Sequence, residues 1–219
     1  MRIAVISDVH CSGRSCPRQR EFIDWIDQLS VDSLWMLGDI FHYGWDFRGR
    51  SQPEYQPVFE AIDRLCDRGV GIRFVVGNHD FAMTDFIERR WRSHVHGPQI
   101  CVVDGRRVYV GHGDEFDLSF GYRLTKWLIR SAMFKFLILS LGSRLGTHLL
   151  ATLAGREPNM SPSAWPVAQA RLCAQLDRAD IAIVGHLHHA WEYRTVNGVA
   201  TVLGPGVEGS RMIIDGELC

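Results

Sequence analysis

Along the first half of the chain, short wholly apolar runs alternate with longer stretches that are apolar on one face only. Ile3–Ile6 has no polar interruption, as expected of a strand buried on both faces. Residues 20–29 place Phe22, Ile23, Ile26 and Leu29 at helical spacing, and 33–37 form a second apolar run ending in Gly38-Asp39. A second amphipathic stretch, 55–66, carries Val58, Phe59, Ile62, Leu65 and Cys66 on one face and stops at Gly69 and Gly71. A third strand, 72–76, leads into Gly77-Asn78-His79-Asp80. Buried strands alternating with amphipathic helices predict an α/β layered fold.

Beyond Gln99 the pattern changes. Residues 100–103 and 108–110, joined by Asp104-Gly105, predict a β-hairpin. A helix over 172–176, a strand over Ile181–Val184 and two β-rich runs, 191–196 and 198–203, complete the pattern. Between Asp117 and that last α/β unit lies an insertion of about residues 118–160, whose 118–154 portion contains no Asp or Glu. Arg123, Lys126 and Arg130 would form a basic stripe on a helix there, beside Leu124, Trp127, Leu128, Phe134, Ile138 and Leu141. An ordinary helical hairpin packed on the core and a cap for an amphiphilic anion both fit that composition. With no repeat or low-complexity linker, residues 1–219 are expected to form one domain carrying the insertion.

Charge and cysteine usage narrow the function. Twenty-four basic residues against twenty-five acidic ones leave a net charge of −1, unlike a general nucleic-acid binder. The six cysteines form no C-x-x-C pair, which fits a reducing compartment with buried thiols acting as small hydrophobes. The longest apolar stretch is broken by Arg130 and Lys135, so no transmembrane helix is expected. The expected location is the cytoplasm.

The chemistry lies in five short motifs at predicted strand ends: Asp8-x-His10, Gly38-Asp39, Gly77-Asn78-His79-Asp80, Gly111-His112-Gly113-Asp114 and Gly185-His186-x-His188. Their donors are carboxylate, imidazole and amide oxygen, a mix that suits Mn2+, Fe2+ or Zn2+ better than a structural thiolate site. In layered α/β folds the loops after the strands converge on one sheet edge, so distant motifs can meet there. Packing alone gives no reason to gather so many polar groups at strand termini. His42, His94, His96, His148 and His189 lie outside these motifs and are read as structural, and Cys11 and Cys16 as bystanders.

This ordered set, from Asp8 to His188, resembles the calcineurin-like metallophosphoesterases. The resemblance implies a layered β-sandwich flanked by helices, with the insertion as a helical cap. It also implies two divalent ions, Mn2+ being the usual choice, with Asp39 bridging them. One ion would take Asp8, His10 and His188, and the other Asn78, His112 and His186. Asp39 and His79 would be the catalytic residues, while Asp80 and Asp114 would orient the imidazoles by accepting their free N–H groups.

Leu37-Gly38-Asp39-Ile40-Phe41, His112-Gly113-Asp114 and the basic, apolar insertion are most similar to the lipid A branch of the family. That branch cleaves the pyrophosphate of UDP-2,3-diacylglucosamine to UMP and the lipid sugar 1-phosphate. The likeness makes Tyr122, Arg123, Lys126 and Arg130 expected substrate contacts, and leaves open a peripheral contact with the inner membrane. It implies no nucleic acid and no obligate protein partner. The branch commonly has Arg where this chain has His79, which keeps a broader phosphodiesterase or phosphomonoesterase in view. A protein phosphatase fits less well, because Phe41-His42-Tyr43-Gly44 follows Ile40. A non-catalytic metal-binding scaffold is the reading from a different class.

Overall fold

A computed structural model describes residues 1–49, 51–93, 95–154, 164–209 and 211–214. His94, Cys219 and the 155–160 end of the expected insertion lie outside them.

Two five-stranded sheets form the centre. The first contains β1 (Ile3–Ile6), β2 (Ser33–Met36), β3 (Gly71–Val75), β4 (Val95–His96) and β10 (Arg211–Ile214), in the order β10-β1-β2-β3-β4. The second contains β5 (Gln99–Val103), β6 (Arg106–Val110), β7 (Ile181–Val184), β8 (Trp191–Thr195) and β9 (Gly198–Val202), in the order β5-β6-β7-β9-β8. The strands from β1 to β4 run parallel, as do β6, β7 and β9, with antiparallel strands at the edges.

The uninterrupted apolar runs follow from burial on both faces. Ile3 and Val5 of β1 point between the sheets, where they join Trp35, Leu37, Val108, Val110 and Ile183. Their neighbours Ala4 and Ile6 point the other way, onto helices α1 (Pro17–Gln28), α2 (Gln56–Asp67) and α3 (Thr84–Trp91). On the far side of the second sheet, Ala182 and Val184 pack against Ala168 and Leu172 of α6 (Trp165–Cys173). The layers therefore run helix, sheet, sheet, helix.

Phe59 on α2 anchors the first helical layer, its ring 5.2 Å from Phe41, 5.0 Å from Phe86 and 6.0 Å from Trp91, centroid to centroid. Phe59→Ala is expected to lower unfolding free energy by about 3–5 kcal/mol in urea titration, because a filled aromatic site becomes a cavity. A loss under about 1 kcal/mol would mean the layer repacks freely.

The insertion is helical, with α4 (Phe120–Ile129) followed by α5 (Ala132–Ala154), which breaks at Gly142 (φ 71°, ψ 174°). Its inner side meets the core through Ile138 and Leu150, against Trp45 and Phe47. Its outer side leaves Phe120, Leu124, Trp127, Met133 and Phe136 exposed. No helix among the described residues is long and apolar enough to cross a membrane.

Several elements were not expected, among them the two-residue strand β4, strand β10, which reads as an ordinary tail, and α3, which begins four residues after Asp80. The helix expected over 172–176 instead runs over Trp165–Cys173 and continues as a 3-10 turn over Ala174–Asp177. The thiols also differ from expectation: among the described cysteines only Cys11 is fully buried, and Cys16, Cys66, Cys101 and Cys173 are half-buried.

Candidate metal centre

Every one of the five motifs leaves the C-terminal end of a parallel strand: β1, β2 and β3 in one sheet, β6 and β7 in the other. Backbone hydrogen bonds stitch the loops together. Asp8 N–H donates to the Gly38 carbonyl at 3.1 Å, His10 N–H to Asp39 at 2.9 Å, and Gly185 N–H to His112 at 2.8 Å. Asp8, His10, Asp39, His186 and His188 all adopt left-handed backbone, with φ between 49° and 60°. That conformation costs roughly 1–3 kcal/mol per non-glycine residue and persists where the surroundings over-determine it. Gly38, at φ 87°, makes the turn before Asp39, and a side chain there would run into Gly77 and the His112 ring.

Two clusters result. Asp8, His10 and His188 offer ligand atoms that all lie within 4.8 Å of one another, and so do Asp39, His112 and His186. His188 Nε2 stands 3.4 Å and His10 Nε2 3.9 Å from Asp8 Oδ1. In the second cluster His112 Nε2 lies 3.4 Å from Asp39 Oδ2 and 3.0 Å from Asn78 Oδ1. The His112 and His186 rings are 5.0 Å apart.

Asp8 Oδ1 and both ring nitrogens of His10 are buried without a hydrogen-bond partner. Each such atom left unsatisfied costs about 1–3 kcal/mol, so an orphaned carboxylate oxygen beside an orphaned imidazole fits a cation receiver that takes one ring nitrogen of His10. Burial pushes the imidazoles of His10 and His186 down to about 4, leaving lone pairs free at neutral pH. Burial would raise the Asp8 carboxyl, but the nearby His188 imidazole, 3.4 Å from Oδ1, and the His112 charge outweigh it and hold it low. Asp39 behaves alike: burial opposes ionisation, while the charges of His112 and His79 keep it well below the usual carboxylate range. The donor types, the orphaned atoms and the neutral imidazoles of His10 and His186 fit divalent ions. Burial opposes charge on His112, but the Asp39 charge holds that imidazole protonated, so His112 would give up a proton on binding an ion.

The groups that orient the imidazoles are not the expected ones. His112 Nδ1 donates to the Leu37 carbonyl at 2.8 Å and His79 Nδ1 to the His42 carbonyl at 2.6 Å. Backbone carbonyls set these tautomers, whereas Asp80 and Asp114 bind other groups. Asp80 clamps two loops, accepting from Ile40 N–H at 3.0 Å and Gly77 N–H at 2.9 Å. Burial, then the Asp39 charge, pushes its carboxyl up to about 7. Asp114 accepts from Tyr122 Oη at 2.9 Å and from Lys126 Nζ, tying α4 to the loop after β6. Tyr122 and Lys126 are thus already engaged with protein.

The stripe otherwise falls as its spacing implied. Arg123, Lys126, Arg130 and Trp127 line a cleft of about 600 Å3 with Asp114, Glu115 and Ser131. Arg130 reaches the Asn78 loop, with Nη2 3.4 Å from the Gly77 carbonyl and its guanidinium 5.1 Å from the Phe81 ring. His79, half-buried, has Nε2 3.8 Å from Asp39 Oδ2 and donates its backbone N–H to Asp39 Oδ1 at 2.8 Å. His42, read from sequence as structural, instead joins His10 and His79 in a third cluster within the same 4.8 Å limit. It stands three residues after Asp39, and that adjacency was the signal for it.

The sequence is similar to UDP-2,3-diacylglucosamine hydrolase of Porphyromonas gingivalis, 28% identical over 52% of this chain and 46% of that protein. It is also similar to the protein of that name from Aeromonas salmonicida, 32% identical over 64% of this chain and 57% of that one. Over these two matches the chain spans about half the length of the relatives. For UDP-2,3-diacylglucosamine hydrolase of Yersinia pseudotuberculosis, identity is 25% over 99% of this chain and 96% of that protein. The Metallophos profile, that of the calcineurin-like phosphoesterases, matches residues 1–190, and the chain belongs to that family.

Proposed function

We propose that this centre holds two divalent ions, Mn2+ in the first place, and that the chain hydrolyses the pyrophosphate of UDP-2,3-diacylglucosamine to UMP and the lipid sugar 1-phosphate. The observation that carries the metal reading is the set of orphaned, buried Asp8 and His10 atoms at a strand-end cluster. Asp8, His10 and His188 would hold one ion and Asn78, His112 and His186 the other, with Asp39 shared between them. When bound, the ions would supply charge against the phosphoryl oxygens and activate water as the nucleophile.

The protein's own groups do the rest. Asp39 keeps one oxygen on the His79 N–H, which leaves Oδ2 to face the centre. The His42 carbonyl holds His79 Nδ1–H, so Nε2 is the ring atom free to meet the departing oxygen with a proton or with charge. A phosphate leaving group is a weak base and needs little protonation, so His79 is compatible with a pyrophosphate substrate.

The 118–160 insertion would act as the cap of a single domain, with the Arg123 and Arg130 guanidiniums meeting the diphosphate beside Lys126 and Tyr122. Its exposed apolar side chains would receive the acyl chains or rest on the cytoplasmic face of the inner membrane. The names and identities of the similar proteins support this substrate over a small diester.

The test compares UDP-2,3-diacylglucosamine with bis-p-nitrophenyl phosphate in Mn2+. The proposal expects preferred turnover of the lipid nucleotide with release of UMP; turnover of the small diester alone would remove the lipid substrate. The double change Arg123→Ala and Arg130→Ala spares the Lys126–Asp114 contact. It is expected to lower kcat/KM for the lipid nucleotide about tenfold or more, one charge-assisted contact being worth about 1.5–3 kcal/mol, with the small ester unaffected. Equal losses on both would remove the cap assignment.

A further inference from the structure

Beside the two expected ion positions, a third set of mutually close ligand atoms is drawn from imidazoles alone, those of His10, His42 and His79. Asp39 Oδ2 and Asp8 Oδ1 stand at its margin, 3.8 Å from His79 Nε2 and 3.9 Å from His10 Nε2. His42 and His79 are stacked, with centroids 5.5 Å apart at 21°. The His10 ring stands edge-on to both, 5.7 Å from His42 and 4.9 Å from His79. Two further features mark the cluster as a cation position. His79 Nδ1–H is tied to a backbone carbonyl, the arrangement that fixes a metal-binding imidazole and leaves Nε2 outward. His10 is 4% exposed with neither ring nitrogen partnered.

We propose that His10, His42 and His79 form an alternative cation position that selects Zn2+ over Mn2+ and, when filled, inactivates the enzyme. An all-imidazole set favours zinc, which stands above manganese in the general affinity order for nitrogen donors. The carboxylate-bearing position beside it suits the harder ion. His10 serves both sets, so an ion held by His42 and His79 draws His10 away from Asp8 and occupies the His79 Nε2 atom needed for turnover. The inference rests on the two-ion reading above.

The test uses full-length protein and His42→Asn, which keeps the carbonyl that anchors His79. Zn2+ binding is measured by calorimetry on Mn2+-equilibrated protein, and Zn2+ inhibition by turnover. His42→Asn is expected to weaken Zn2+ binding and raise the half-inhibitory Zn2+ concentration at least tenfold, with Mn2+ affinity changed less than twofold. Unchanged Zn2+ binding in the variant would overturn the proposal, since zinc would then simply be replacing manganese on the carboxylate-bearing sites. Equal weakening of Zn2+ and Mn2+ would also overturn it. If wild-type protein fails to bind a pair of Mn2+ ions, the catalytic reading fails; a Zn2+ site lost in His42→Asn would still be seen.

Discussion

Asp39→Asn is expected to abolish binding of the ion pair and to cut turnover by more than about 100-fold, while the protein stays folded. Its two oxygens have separable tasks. Oδ1 accepts the His79 backbone N–H at 2.8 Å, and an amide oxygen can accept it equally well. Oδ2 faces His112 Nε2 at 3.4 Å and His79 Nε2 at 3.8 Å, where the variant would place an amide N–H2 in place of an acceptor as the group loses its charge. Changing groups that merely support a metal ligand costs about 10–100-fold in affinity or activity, so a shared ligand should cost more. Circular dichroism and thermal unfolding of the metal-free proteins separate the two effects. An unchanged fold with lost ion binding is the expected pair of results, and full activity would remove Asp39 from the centre.

Gly77→Ala should disturb the same residue from the opposite loop. A Cβ on Gly77 would overlap Asp39 Oδ1 and stand 2.5 Å from Asp39 N and 2.9 Å from Asp39 Cγ. Gly77 cannot retreat easily, because its N–H is held by Asp80 at 2.9 Å. Over-packing of this kind costs about 1–3 kcal/mol of stability, and displacing a reacting group by about 1 Å can cost 100-fold in rate. Gly121→Ala is the control, since a Cβ there meets nothing within 4 Å. The expected outcome is a destabilised, nearly inactive Gly77→Ala beside a Gly121→Ala close to wild type. Equal activities would mean that the two loops adjust independently.

The strand ends were legible because two physical patterns coincide there. Unbroken apolar runs such as Ile3–Ile6 and Ile181–Val184 need burial on both faces, and polar motifs directly after them must share an edge. Which partner each polar group takes was not legible. Asp80 and Asp114 look like companions for imidazoles, yet one clamps backbone N–H groups and the other binds Tyr122 and Lys126. Those choices depend on where loops distant in sequence come to rest. His42 was read as structural because it belongs to no spaced motif; only its place three residues after Asp39 hinted that its loop would bring it to the centre. Strand β10 was missed for a related reason: Arg211–Ile214 gains its strand character from pairing with β1 at the other end of the chain. The basic stripe could be read from helical spacing, but not the engagement of Lys126 by Asp114.

The central claim is a two-ion centre organised by Asp39, and calorimetric titration of metal-free protein with Mn2+ tests it most directly. The account predicts two ions per chain for the wild type and fewer than two for Asp39→Asn. A wild-type chain that binds one ion or none, or an Asp39→Asn variant that binds two as tightly as the wild type, would contradict it.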